Sequence, residues 1–232
     1  MKLFSFLEAN ATLYELAMQG LSLNYRLVRR ILREEGFFAP RMKFLDVGCG
    51  TGVFRNFLRG EDYLGVDINP QYLAHARRRR GDCFLQASVL ELSRLSRQSD
   101  RILCIGLFHH LNDEEVGRAL TECSACLTPH GEIFVLDALW PETGNPIGRF
   151  LRQSDNGAFI RRFEAWRALF ESGLAVRQLR VVRQWPFDYV FVRGGAKPHC
   201  GSGSLNSTSE CPGRQSQDGS GERRADGNRT GD

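Results

Sequence analysis

The stretch Phe44–Val53 reads FLDVGCGTGV. An apolar run ends at Val47, and glycines follow at the alternate positions 48, 50 and 52. Glycine gives up more conformational freedom on folding than any other residue, so three together mark a backbone that turns sharply or is closely approached. MKFLDV (42–47) reads as a buried strand, and Val53 to Leu58 as the start of a helix. A strand, a glycine turn and a helix in that order make the first crossover of a doubly wound sheet, where ligands meet the carboxyl ends of the strands.

The chain on either side fits that frame. DYLGVD (62–67), CFLQA (83–87), RILCIG (101–106) and GEIFVLDAL (131–139) read as strands, with helical spacing over Pro70–Arg80 and from Asp113 to Leu127. A long polar connection covers 140–158, and a helix follows near Phe159 to Ser172. The last two strands, VRQLRVVRQ (176–184) and FDYVFVR (187–193), are separated by Trp185 and Pro186 alone. A two-residue connection makes an antiparallel hairpin. The expected fold is therefore α/β, a Rossmann-like doubly wound sheet, mainly parallel with a C-terminal antiparallel hairpin. Residues 3–35 show helical spacing in two pieces broken near Gly20, which predicts an N-terminal helical cap over 1–40 and a main domain over 41–193. From Gly194 to Asp232 the sequence has no Phe, Trp or Tyr, and Leu205 is its one large aliphatic residue, so it is expected to be a disordered tail.

Composition narrows the function. Hydrophobic residues at 42% and charged residues at 25% are ordinary for a globular domain. A net charge of +4 does not by itself call for nucleic acid. The first twenty residues lack the continuous apolar core of a signal peptide, and no run of 18 apolar residues occurs, so no membrane span is expected. Seven cysteines, an odd number, fit reduced thiols in the cytoplasm. Cys123 and Cys126 have C-x-x-C spacing without a second pair, so they are read as half-buried thiols and no metal site is expected. The run Arg77–Arg80 is read as a solvated helix end.

The glycine spacing is G-C-G-T-G, not the G-x-G-x-x-G of dinucleotide sites. Asp46, two residues before the first glycine, would repel a pyrophosphate and suits a cationic ligand. Asp67 ends the next strand, where a carboxylate accepts hydrogen bonds from ribose hydroxyls. A ligand with a ribose, a positive charge and no phosphate is S-adenosylmethionine.

These residues resemble the class I S-adenosylmethionine-dependent methyltransferases. DVGCGTG is similar to their first motif and GVDIN (65–69) to their acidic second motif. FHHLNDEE (108–115) resembles the segment after their fourth strand, and LTPHGEIFVLD (127–137) their fifth-strand region, with His130 in place of a usual glycine. Within the family the likeness is to small-molecule methyltransferases of the type 11/25 kind, often placed near polysaccharide or lipid biosynthesis. YELAMQG (14–20), NPIGRFL (145–151) and DNGAFIR (155–161) match segments of that subgroup. The resemblance implies that Asp46, Gly48, Cys49, Gly50, Gly52, Asp67, Ile68, Ser88, Val89, Gly106 and Leu107 hold the cofactor, with Ser88 standing where the family usually has Asp. It also implies that the N-terminal helices, with Tyr14 and Gln19, cover the cofactor; simple packing by Leu13, Leu16 and Leu21 is the other reading.

Methyl transfer to a hydroxyl needs a base, and histidine titrates near neutral pH. His109 and His110, after the fourth strand, are the candidates; packing under the loop is the other role open to them. Tyr14, Arg149, Arg152 and Arg161 are the substrate-side candidates. The arginines either clamp an anionic group or pair with Glu142, Asp155 or Glu164. The expected reaction is methyl transfer to a small molecule, at oxygen, in polysaccharide, lipid or secondary-metabolite biosynthesis. An inactive cofactor-binding protein of the same fold and, more remotely, a nicotinamide-dependent oxidoreductase are the alternatives. RNA is a weaker substrate alternative, and nucleic acid is not an expected partner.

Overall fold

The computed structural model describes residues 12–13, 15–16, 25–58, 62–142, 144–153 and 157–198. One mixed sheet of seven strands runs in the order β3-β2-β1-β4-β5-β7-β6. The strands are β1 (Lys43–Val47), β2 (Asp62–Asp67), β3 (Phe84–Gln86), β4 (Ser99–Ile105), β5 (Leu127–Leu139), β6 (Ala175–Gln184) and β7 (Phe187–Gly195). The β1–β2, β1–β4, β2–β3 and β4–β5 pairs are parallel, while β7 runs antiparallel to β5 and to β6. The chain winds outward from β1 through β2 to β3 and then returns to place β4 on the other side of β1. The crevice at this reversal is where an open α/β sheet receives a ligand.

Side chains alternate across each strand, so the sheet carries a core on each face. Leu45 and Val47 of β1 pack with Ile102, Val135, Val190 and the helices α3 (Asp113–Ala125) and α5 (Phe163–Gly173). Phe44 points the other way, into a cluster with Phe134, Phe191, α1 (Arg26–Glu34) and α2 (Pro70–Arg80). Trp166 of α5 is fully buried, stacks on Phe170 with ring centroids 5.2 Å apart, and donates its indole N–H to the Ala138 carbonyl at 3.0 Å. That bond settles the polar atom of an otherwise apolar side chain.

The helix ends follow their sequence signals. Asn69 caps α2, its side-chain oxygen accepting from the Gln71 amide at 2.9 Å, and Pro70 takes the first helical position. Asn112 and Glu115 form a reciprocal capping box on α3 at 2.9 and 2.8 Å.

Four expectations change. The helix after the glycine turn is a single 3₁₀ piece, Val53–Phe57, because β2 begins at Asp62 and leaves no room for more. The connection 140–158 contains a helix, α4 (Pro146–Gln153), whose start is fixed by Asn145 accepting from the Gly148 amide at 2.8 Å. β7 runs on through Gly194 and Gly195, which pair with Ile133 and Ala175, so ordered chain extends past residue 193. Cys123 and Cys126 are fully buried rather than half-buried. The first helical piece, apart from residues 12–13 and 15–16, and residues 199–232 lie outside the described residues. Among the described residues, no helix is long and apolar enough to cross a membrane.

Candidate functional site

The three glycines of the turn serve different ends. All have positive φ, 68° at Gly48, 53° at Gly50 and 77° at Gly52, a region that side chains disfavour. A Cβ at Gly52 would sit 2.5 Å from the Phe84 ring, and one at Gly48 would sit 2.9 Å from Leu107 Cδ1. Those two glycines let β3 and the loop after β4 close against the turn. Among the described residues, a Cβ at Gly50 would meet nothing within 4 Å, so none of them closes that face of the turn.

Asp67 fixes the turn from the end of β2. Its Oδ2 accepts from the Gly50 amide and its Oδ1 from the Asn69 amide, both at 2.8 Å. Each oxygen retains acceptor capacity for a further donor. Asp46 has a different environment from the one its sequence position suggested. Its carboxyl is buried beneath the turn on the same face as Phe44, and the Tyr63 hydroxyl donates to it at 2.6 Å. Burial, reinforced by the charge of Asp67 and opposed by the tyrosine, pushes its pKa up to about 7. Cys49 is buried beside it, and burial with the two nearby carboxylates holds its thiol well above the usual range.

The other residues that the sequence reading placed at the cofactor follow β2, the segment before Val89 and β4. Ile68 is exposed just beyond β2, and its carbonyl accepts from the Gln86 side chain at 3.1 Å. Ser88 caps the 3₁₀ segment Val89–Leu95, its hydroxyl accepting from the Leu90 amide at 3.2 Å, while Val89 is buried. Gly106 is exposed with φ of 61°, and Leu107 lies against Gly48.

His109 sits behind Gly106, with its Cε1 3.7 Å from where a Gly106 Cβ would lie. Its Nδ1 is 2.6 Å from Oδ1 of Asp137, a fully buried carboxylate in β5. Asp137 also accepts from the backbone amides of Leu107 at 3.1 Å, Phe108 at 2.6 Å and Ala138 at 2.7 Å. Burial works to raise the pKa of this acid, but the histidine and the amides prevail and hold it below the ordinary value. Because Nδ1 faces Asp137, proton exchange between the ring and any other group runs through Nε2. Gly157 roofs the ring, since a Cβ there would fall 2.0 Å from His109 Cδ2. His110 is exposed, its ring centroid 4.1 Å from that of His109.

The three arginines differ. Arg161 is buried and bonds Asp113 at 2.7 Å and the carbonyls of Leu111 at 2.7 Å, Phe159 at 3.0 Å and Phe108 at 3.3 Å. It fastens the roof segment to the loop carrying His109, with Asp113 as its acid, while Glu142 and Glu164 lie against Arg183 and Arg167. Arg152 is buried over the rings of Phe187 and Tyr189 and donates to the Asp188 carbonyl at 2.9 Å. Arg149 is half-buried, with its Nε 3.4 Å from the Pro141 carbonyl. Tyr14, Gln19 and Asp155 lie outside the described residues.

Residues 44–131 match the family model of a methyltransferase domain. Over that stretch the chain is similar to a methyltransferase domain. It is 29% identical over 149 residues to the dTDP-3-amino-3,6-dideoxy-alpha-D-glucopyranose N,N-dimethyltransferase of Streptomyces fradiae, covering 59% of this chain and 56% of that one. It is 30% identical over 103 residues to the corresponding trideoxy-sugar N,N-dimethyltransferase of Streptomyces venezuelae, covering 43% and 44%. The alignments span from 25% to 56% of the length of the curated relatives. Among solved structures, the magnesium protoporphyrin IX methyltransferase of Synechocystis, crystallised with S-adenosylhomocysteine, superposes with a TM-score of 0.58 at 14% identity, covering 77% of this chain and 84% of that one. That likeness is one of fold.

Two features of the structure escaped the sequence reading. Asp137 stood in a quoted strand without a role, although an acid within the apolar run IFVLDAL signals a buried partner. Arg80 was assigned to a solvated helix end, yet it and its contact Glu15 are both buried. Arg77 donates to the Phe84 carbonyl at 2.9 Å but stays exposed, as do Arg78 and Arg79, so the solvated reading fits those three residues of the run.

Proposed function

We propose that the protein transfers the methyl group of S-adenosylmethionine to a small molecule, with oxygen as the acceptor atom. The observation that carries this reading is Asp67 beside the open face of Gly50. Each of its oxygens has one backbone donor and acceptor capacity to spare, which suits the paired hydroxyls of a ribose. The absence, among the described residues, of any atom within 4 Å of a Gly50 Cβ supports this reading, since such a ligand needs close approach to the turn. Ile68, Ser88 and Val89 would flank the adenine, and Gly48, Gly106 and Leu107 the amino-acid end. Asp46 and Cys49 would support the turn from below.

The bound cofactor supplies an electrophilic methyl group on a sulfonium. The chain supplies position and proton management. Holding the acceptor in line and excluding water is worth on the order of 7–11 kcal/mol. His109 takes the acceptor's proton at Nε2, and ionised Asp137 orients the ring and stabilises its cationic form. Arg149, the least buried of the three arginines, is the acceptor-side cation, while Arg152 and Arg161 shape that side from behind. Acceptors from polysaccharide, lipid or secondary-metabolite biosynthesis fit this reading. The likeness to an amino-sugar N,N-dimethyltransferase favours a second reading, an amine acceptor, which needs the same base.

Calorimetry tests the cofactor. Micromolar binding of S-adenosylmethionine and S-adenosylhomocysteine is expected, weakened at least about tenfold in Asp67→Ala by loss of a charged hydrogen-bond acceptor. No binding to the wild type would overturn the reading. Labelled methyl transfer to matched hydroxyl and amine acceptors then decides the atom.

A further inference from the structure

The N-terminal helical turn is attached by a charge. Its described residues are Thr12, Leu13, Glu15 and Leu16. Leu13 and Leu16 are 41% and 61% exposed, whereas Glu15 is 5% exposed. Among these described residues it is the charged one that is buried and the leucines that are exposed. Packing by Leu13 and Leu16 therefore does not hold it, and Leu21 lies outside the described residues.

The Glu15 carboxylate bridges two separate parts of the domain. Its Oε1 accepts from Arg80 at 2.7 Å, and its Oε2 lies 3.0 Å from His75 Nε2, both on α2. The Thr51 side chain hydrogen-bonds the same carboxylate. A second arm of the Arg80 guanidinium donates to the Thr51 carbonyl at 2.9 Å. Thr51 is buried between Gly50 and Gly52, at the centre of the glycine turn. One buried ion pair thus ties the N-terminal segment, the C-terminal end of α2 and the turn together.

We infer that Glu15 is a positioning residue: seated on Arg80 and His75, it locks the glycine turn in the shape that receives the cofactor. The turn needs such a lock. Gly50 and Gly52, on either side of Thr51, deform at little cost, and the neighbouring ties from Gly50 to Asp67 and from Gly52 to the Cys49 carbonyl leave the Thr51 carbonyl itself unheld. Loss of the Glu15 charge strands a buried guanidinium, which then leaves for water and releases Thr51. Coupling of this kind is reciprocal, so a ligand that needs the locked turn also favours the seated N-terminal segment. The ligand half of the inference rests on the cofactor reading above; the locking half does not.

Hydrogen exchange and calorimetry on the full chain separate the two halves. Without ligand, Glu15→Gln should speed amide exchange in residues 48–53 and 12–16 by about tenfold or more, within the usual range of coupling between sites. The same variant should weaken S-adenosylhomocysteine binding about tenfold, and the ligand should slow exchange at 12–16 in the wild type but not in the variant. Faster exchange at 12–16 alone, with the turn and the affinity unchanged, makes Glu15 a mere anchor and overturns the inference. A wild type that binds no S-adenosylhomocysteine removes the cofactor reading, and exchange in the turn still decides the lock. If Glu15→Gln does not fold, the double variant Glu15→Gln/Arg80→Gln removes both charges. It should show the same loosened turn, and wild-type exchange there overturns the lock.

Discussion

His109 is held by an acid whose own contacts leave it little freedom. Asp137 receives three backbone amides besides the imidazole, so its orientation is set by the loop after β4 and by β5 itself. An acid so fixed makes Nε2 the ring nitrogen that would take up the acceptor's proton in the proposed reaction. His109→Gln should therefore lower kcat by about 10²–10⁴-fold, the usual contribution of a placed base, and leave S-adenosylhomocysteine affinity near that of the wild type. Steady-state turnover beside calorimetry checks this, and a kcat within a few-fold of wild type would remove His109 from the chemistry. A loss of affinity in place of turnover would make it a structural support for Gly106 and Leu107.

At the scale of elements, the β1 turn works because β3 and α2 close on it. Gly52 faces Phe84 at 2.5 Å and the Ala76 methyl at 3.2 Å, and its φ is 77°. Gly52→Ala adds backbone strain to overpacking and should cost about 2–4 kcal/mol in urea unfolding. Gly50→Ala meets no described residue within 4 Å and should cost only the backbone strain, about 1–2 kcal/mol. Its methyl group should instead obstruct the ligand. A reversal of the two stabilities would show that the packing of β3 does not set the turn. These elements were legible to different degrees for physical reasons. β2 and α2 fall at the residues read from sequence because their signals are local: alternation in DYLGVD, the Asn69 cap, Pro70 and Gly81. α4 has the same start signal in Asn145-Pro146, but its pattern is inverted. Arg152 and Gly148 are buried while Ile147 and Phe150 are exposed, so hydrophobic periodicity gives no helix face pointing to a core. The glycine turn and Asp67 were legible as a candidate site because their spacing lies within one crossover. The His109–Asp137 and Glu15–Arg80 pairs join residues 28 and 65 positions apart, which spacing alone does not reveal.

The molecule as a whole carries buried carboxyls that respond to pH in opposite directions. Glu15, Glu132 and Asp137 are each opposed by burial, but their arginine or histidine partners prevail and hold them below their ordinary values. The stability they contribute is present above about pH 4 and is lost as pH falls through the lowered values. Asp46 acts the other way. Its pKa is raised from 3.8 to about 7, so between those values the folded state keeps a proton that the unfolded chain has released. Stability therefore falls as pH rises through that window, and above about pH 7 the full penalty applies, on the order of 4 kcal/mol. Together these terms place the stability maximum near the low end of the window. Asp46→Asn keeps an acceptor for the Tyr63 hydroxyl and removes the ionisation. Its unfolding free energy, compared with wild type by urea titration from about pH 5 to pH 8, should pull ahead progressively as pH rises. Parallel curves would mean that Asp46 ionises as easily in the fold as in the open chain, and that the space beneath the turn is wetter than its burial implies.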